Sequence, residues 1–321
     1  MTNRGRTWRW LLPTGGLLLV AGAACAWLLQ REACRLVLGG RGGAARAVAF
    51  SADGSLLAGG GEDRVARVWA LPSGRRRAAV EGQGGPVLAL AFSPDGALLA
   101  VGGGDGKLRV VECSGGPERF AAQAHRSGVH ALAFAPDGQT LYSAGGDKAV
   151  RVWDVATGKQ RDVLKGHTGT VLALALSADG QTLVSAGNDR AIRLWKPPAK
   201  TPRLLAGHGA RVTALALTGQ TLASGDRDGM VKVWDVGSGR ELASVAAHAD
   251  RVVGLGLHDH LLVSGAEDGT LAAWPLSPTP GTPARWKQRS AVVALALSPD
   301  GLTSATAGGD GRVRLWDVPR P

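Results

Sequence analysis

The sequence predicts an all-β fold: a seven-bladed propeller closed by an N-terminal strand and preceded by one transmembrane helix. Three observations predict it. A pattern closing on Trp69, Val111, Trp153, Trp195, Trp234, Trp274 and Trp316 recurs at spacings of 42, 42, 42, 39, 40 and 42 residues. A period near 40 with four short strands per repeat is the mark of a propeller. The seventh repeat ends one strand short, and the unassigned run ACRLVLG (33–39) precedes the first repeat and can supply it. Finally, Leu11–Leu29 carries no charged residue.

Within each repeat the order of elements is the same. An alternating apolar run such as VLALALS (171–177) reads as a strand half-buried on each side. A turn follows: SADG at 51–54 and 177–180, SPDG at 93–96 and 298–301, APDG at 135–138. There Asp and Gly accept the tight bend and Pro presets its first dihedral. A second strand such as TLVSAG (182–187) leads through an Asp-containing turn to a third, such as AIRLW (191–195). A more polar fourth strand, such as RDVLKG (161–166), precedes the next repeat.

These residues resemble the WD40 repeat family. The resemblance is carried by the pairs Trp153-Asp154, Trp234-Asp235 and Trp316-Asp317, and by Gly166-His167 and Gly207-His208. It covers residues 32–321, taken as one seven-bladed domain. It implies a fold and says little about activity.

A second pattern tests whether the chain is an enzyme. Ser185, His167 and Asp189 are the residue types of a hydrolytic triad. They recur, however. The sets His125, Ser143, Asp147, Trp153; His167, Ser185, Asp189, Trp195; His208, Ser224, Asp228, Trp234; and His248, Ser264, Asp268, Trp274 share their offsets from the Trp, apart from a two-residue shift of His. A catalytic centre is needed once, whereas a brace is needed in every blade. The buried indole N–H needs an acceptor, Ser supplies it and donates onward to His, and His donates to Asp. The family resemblance implies the same buried network. The set erodes elsewhere: Gln288, Thr306, Asp310 and Trp316 in repeat 7; Arg41, Gly59, Asp63 and Trp69 in repeat 1; Gln83, Val101, Asp105 and Val111 in repeat 2. The chain therefore reads as a non-enzyme.

What it recognises must lie in loops that differ between repeats. Propellers commonly engage partners on the face carrying the loops before the first strand and between the second and third. There the pattern places Arg126, Arg211, Arg227 and Arg251, with Glu62 and Glu267 at positions equivalent to Arg227. Arg suits charged and planar recognition. The expected partners are other proteins. Two further classes are an enzyme or small-ligand binder using the central channel, and a nucleic-acid binder. Of the net charge of +11, residues 36–321 carry +7, a moderate excess. One Tyr and four Phe give no stacking platform for bases. No cofactor is expected, since no Gly-Lys-Ser/Thr phosphate loop occurs, and no metal, since His258-Asp259-His260 in a hairpin turn lacks further ligands. The three cysteines make no disulfide or zinc spacing. PLSPTPGTP (275–283) reads as a solvated Pro-rich loop.

The N-terminal segment, residues 1–31, reads as a basic tail and a membrane anchor. Nineteen helical residues from Leu11 to Leu29 span about 28 Å, close to a hydrocarbon core. Trp8, Trp10 and Trp27 flank the run as interfacial aromatics do. A cleaved signal peptide ending near Ala21-Gly22-Ala23, or a lipoprotein signal ending at Cys25, are the alternatives. Arg4, Arg6 and Arg9 before the run favour a cytoplasmic N-terminus and an exported main domain, while Arg31, Arg35, Arg41 and Arg46 after it oppose this.

If Ser185 is a brace, Ser185→Ala lowers stability by roughly 1–3 kcal/mol by orphaning buried partners. Denaturant titration checks this; unchanged stability with loss of a hydrolytic activity would make Ser185 a nucleophile instead.

Overall fold

A computed structural model describes residues 34–39, 42–276 and 280–319. The anchor segment and Arg41 lie outside the described residues, as does the centre of the Pro-rich loop, 277–279. Strands form seven four-stranded antiparallel sheets. Six of them follow chain order: blade 1 spans 45–80, blade 2 87–123, blade 3 129–164, blade 4 171–205, blade 5 212–246 and blade 6 252–287. Blade 7 takes three strands from Val292–Leu297, Thr303–Gly308 and Arg312–Asp317, and its fourth from Cys34–Gly39. The closing strand pairs antiparallel with Arg312–Asp317, Leu38 opposite Val313 and Cys34 opposite Trp316. The orphan run before the first repeat thus completes the last blade.

Each sheet is apolar on both faces, because short alternating strands such as Val171–Leu176 carry Leu on one side and Ala or Val on the other. Such a sheet buries itself only between two neighbours. The buried residues accordingly fall into seven hydrophobic clusters, one per blade–blade interface. The cluster between blades 7 and 1 joins Leu38, Ala305, Val313 and Leu315 to Leu57 and Trp69. The ring is sealed there by the same packing as elsewhere, with the closing strand as part of it.

The first two strands of every blade slip register after the opening residue, for example between Val129 and Ala131 or Val171 and Ala173. A bulge leaves one residue unpaired and re-aims its side chain. The bulged residues are Arg46, Leu88, His130, Leu172, Thr213, Val253 and Val293, and all seven line the central cavity of about 360 Å³. The loops before the first strand and between the second and third strands gather at this end of the ring, as the antiparallel order requires.

Leu38 is 7% exposed while its neighbour Val37 is 48% exposed. Leu38→Ala is therefore expected to cost about 2–5 kcal/mol, and Val37→Ala less than about 0.5 kcal/mol. Equal losses in urea titrations would show that packing of this strand does not seal the ring.

Candidate functional site

The Ser, His and Asp of blades 3 and 4 meet as a hydrogen-bonded chain. In blade 4, Trp195 Nε1–H donates to Ser185 Oγ at 2.8 Å, Ser185 Oγ lies 2.7 Å from His167 Nε2, and His167 Nδ1 lies 2.9 Å from Asp189 Oδ2. In blade 3 the matching distances are 2.9, 2.8 and 2.7 Å through Trp153, Ser143, His125 and Asp147. A neutral imidazole with its proton on Nδ1 satisfies the Trp–Ser–His–Asp chain: Ser donates to Nε2, and Nδ1–H donates to the carboxylate. Ser185 and Ser143 are fully buried. Each hydroxyl is engaged on both sides, which is the geometry of a brace.

The structure adds a fifth member that the sequence reading passed over. Arg193 Nη1 donates to Asp189 at 2.8 Å and Arg151 Nη1 lies 2.8 Å from Asp147. Asp63–Arg67 and Asp310–Arg314 repeat the pair in blades 1 and 7. The signal was an Arg four residues after the Asp, as in DRAIR and DKAVR. In blade 4 the guanidinium also reaches back to Gly166 O at 2.8 Å, tying the carboxylate to the loop that carries His167.

Blade 5 corrects one expected member. His208 Nδ1 lies 2.7 Å from Asp226 Oδ2, not from Asp228. Asp226 ends the second strand, where blades 3 and 4 have Gly145 and Gly187. Its carboxylate stands directly beside the imidazole. It also accepts the N–H groups of Asp228 and Met230, at 2.9 and 3.1 Å, and so takes over the turn as well. Lys232, at the place of the brace Arg, pairs with Glu241 at 2.8 Å, so nothing draws Asp228 inward and it is exposed. Ser224 and Trp234 keep their expected bonds.

In blade 6 a hydroxyl intervenes. His248 Nδ1 meets Thr270 Oγ1 at 2.6 Å, and Thr270 Oγ1 donates to Asp268 Oδ1 at 2.5 Å, while Ser264 bonds His248 and Trp274 at 2.8 and 3.0 Å. In blade 7, Trp316 donates to Thr306, which donates to Gln288 Oε1 at 2.7 Å; the Gln amide N–H donates to Ser290 and Ala291 O. In blade 2, Gln83 is buried and neither end of its amide finds a hydrogen-bond partner among the described residues.

Burial depresses the histidine pKa values below the ordinary value and outweighs the carboxylates that would raise them at His125, His167 and His208. His248, farther from its carboxylate, is pushed down to about 4. Burial opposes the charged forms of Asp147, Asp189 and Asp268. Their hydrogen bonds and the nearby His outweigh it, and Arg151 and Arg193 add to this in blades 3 and 4, so all three stay below the usual carboxylate range. The neutral imidazole is thus favoured in the braces, between Ser and Asp in blades 3 to 5 and between Ser264 and Thr270 in blade 6.

The residues expected to take part in recognition fall on one face, at the ends of strands where the loops gather. Arg126, Arg211 and Arg227 are exposed there. Arg251 pairs with Glu267, Nε to Oε2 at 3.2 Å, and Arg46 with Glu62. The cavity at the centre of this face is walled mainly by Leu, Val and Ala, with Arg46, His130, Thr213 and Arg251 as its polar members. Burial alone lowers the pKa of His130. Among the described residues no group of three or more His, Cys, Asp and Glu is arranged to hold a metal ion. His258 Nε2 lies 3.4 Å from Asp259 Oδ2 in its turn.

A family model described as WD domain, G-beta repeat matches residues 32–70, 74–112, 118–154, 158–196, 199–235 and 285–317. The first and last matched segments take in the closing strand and the three strands it completes. Between 235 and 285 the model is silent, yet Val252–His258, Leu261–Ala266 and Thr270–Pro275 build three strands of an ordinary blade. No curated protein matches the chain.

The depressed histidines set the pH response. A folded-state pKa below the unfolded value near 6.5 contributes stability that is complete above that value and is lost as pH falls towards the folded one. Thermal stability is expected to drop between pH 7 and pH 4, with His248 alone accounting for as much as about 3 kcal/mol. The carboxylates add their loss only at lower pH. Melting curves flat from pH 7 to 4 would mean that the imidazoles are not held neutral.

Proposed function

The chain belongs to the WD40 repeat family, and from that premise we propose that it is a non-catalytic, membrane-anchored propeller that scaffolds contacts between proteins. One observation carries the reading: the residues with catalytic chemistry are spent on bracing, whereas charged side chains that differ between blades are displayed on one face of a rigid ring. Ser143, Ser185, Ser224 and Ser264 are fully buried, while Arg126, Arg211 and Arg227 are exposed. Rigid elements with variable loops are the usual platform for recognition.

The anchor rests on the uncharged run Leu11–Leu29 and its flanking Trp residues. Among the described residues no helix is long and apolar enough to cross a membrane, and the run itself lies outside them. The arginines before it favour an exported propeller. A ligand in the central cavity is the second reading, favoured by the ring of bulged side chains. Its two arginines already face Glu62 and Glu267, and most of its wall is aliphatic, so the loop face is the better candidate.

Crosslinking in intact membranes followed by mass spectrometry tests both parts. Specific protein neighbours joined through loop-face lysines such as Lys148 are expected, in a fraction that alkaline washing leaves in the membrane pellet. Recovery of no specific neighbour overturns the scaffold, and release by the wash overturns the anchor.

A further inference from the structure

The loop face is not uniform in charge. On blades 1 and 6 the arginine at the channel mouth is matched, Arg46 with Glu62 and Arg251 with Glu267, although Arg64 of blade 1 and Arg312 of blade 7 are exposed with no carboxylate paired to them among the described residues. On blades 3 to 5 the exposed cations are more numerous and unmatched. Arg126, Lys148, Lys165, Arg190, Arg211 and Arg227 are all exposed, and no carboxylate pairs with any of them among the described residues. Of the acidic side chains in the same loops, Asp147 and Asp189 are held by His and Arg, and Asp228 alone is exposed.

Two details show that this excess is built into the backbone. In blade 6, Glu267 N–H donates to Arg251 O at 2.9 Å, and the two side chains pair. In blade 5 the same bond runs from Arg227 N–H to Arg211 O at 2.9 Å, and it holds two cations side by side. Like charges in that position repel unless an external anion joins them. The second detail is strain. The residue after the turn Asp is Gly106, Gly229, Gly269 or Gly311 in blades 2, 5, 6 and 7, all at φ of 79–85°. In blades 1, 3 and 4 it is Arg64, Lys148 or Arg190, at φ of 63–69°. Side chains occupy that region at a cost; each of the three is a cation, and two of them, Lys148 and Arg190, lie in blades 3 and 4. Arg190 Nη1 also reaches Gly209 O at 3.4 Å, across to the loop that leads into blade 5.

We propose that the loops of blades 3 to 5 form a cationic crescent that docks an acidic, Asp/Glu-rich segment of a partner protein. The proposal rests on the scaffold reading and names the chemistry of its partner. Unpaired Arg and Lys spread over three adjacent blades suit an extended run of carboxylates, with Arg211 and Arg227 as a two-pronged site. The Arg251–Glu267 pair of blade 6 bounds the crescent on one side.

The test uses the full chain in neutral detergent and a fluorescein-labelled peptide of alternating Glu and Asp, with its Gln/Asn analogue as control, read by anisotropy. The acidic peptide is expected to bind, with affinity falling as salt rises, and the analogue not to bind. Arg227→Glu installs the ion pair of blade 6. It is expected to weaken binding by roughly tenfold while the melting temperature stays level or rises. The double variant Lys148→Gly/Arg190→Gly, which places there the residue four other blades carry, is expected to weaken binding with no loss of stability. Arg75→Ser/Arg76→Ser removes charge from the outer strand of blade 1 and is expected to leave affinity unchanged. Equal binding of the two peptides, an equal loss in the outer-strand variant, or tighter binding of a DNA oligonucleotide or a phosphatidylserine vesicle overturns the proposal. Should protein neighbours be crosslinked while the peptide arms fail, the crescent falls and the scaffold stands.

Discussion

A buried indole N–H must find an acceptor, and this constraint orders much of the molecule. Trp153, Trp195, Trp234 and Trp274 each lie in a cluster with residues of the preceding blade. Each therefore belongs to one sheet by its backbone and to the interface by its ring. The Ser that accepts its proton fixes the ring from within its own blade, and the His behind the Ser comes from the loop entering that blade. One chain of hydrogen bonds thus ties the third strand, the second strand and the incoming loop together at the seam between neighbours. Geometry at the seams sets the angle at which blades meet, and hence whether seven of them close.

The eroded blades show how narrow the chemical tolerance is. Gln288 and Gln83 occupy the same slot. In blade 7 a Thr hydroxyl stands before the Gln, and its amide is satisfied at both ends. In blade 2, Val101 and Val111 stand where Ser and Trp would be, and the same amide is buried without a partner among the described residues. The residue type is not at fault; the neighbours are. Blade 7 has its own deficit at Ser304, buried opposite Trp316 where other blades place Leu, its hydroxyl without a hydrogen bond among the described residues. The weak seams adjoin the closure, where the closing strand compensates by burying Leu38.

Much of this was legible in the sequence because repetition turns one weak signal into seven. The 42-residue spacing located the blades, and the missing fourth strand of the last repeat located its substitute. Single-residue departures were harder to read. Asp226 and Asp228 are two residues apart, and offset alone favoured Asp228; only the strand end, which stands against the imidazole, gives the role to Asp226. The brace arginines were visible in DRAIR and DKAVR, but an Asp–Arg pair four apart in a strand–turn segment carries no helical meaning, and burial alone distinguishes it from surface charge. The paired state of Arg251 and the unpaired state of Arg211 depend on what the opposite strand presents, which periodicity does not encode.

The closing strand has a mechanical meaning as well. Cys34, where it begins, lies opposite Trp316, near the end of the strand it pairs with. Tension applied between residues 34 and 317 would thus load the hydrogen bonds one pair at a time from that end, in the manner of a zipper, rather than all together in shear. The ring is strong against uniform thermal agitation, since no blade can leave without breaking two interfaces. Pulled at its two ends it has a designated place to part, and the first bonds to yield belong to the strand that arrives from the N-terminal side.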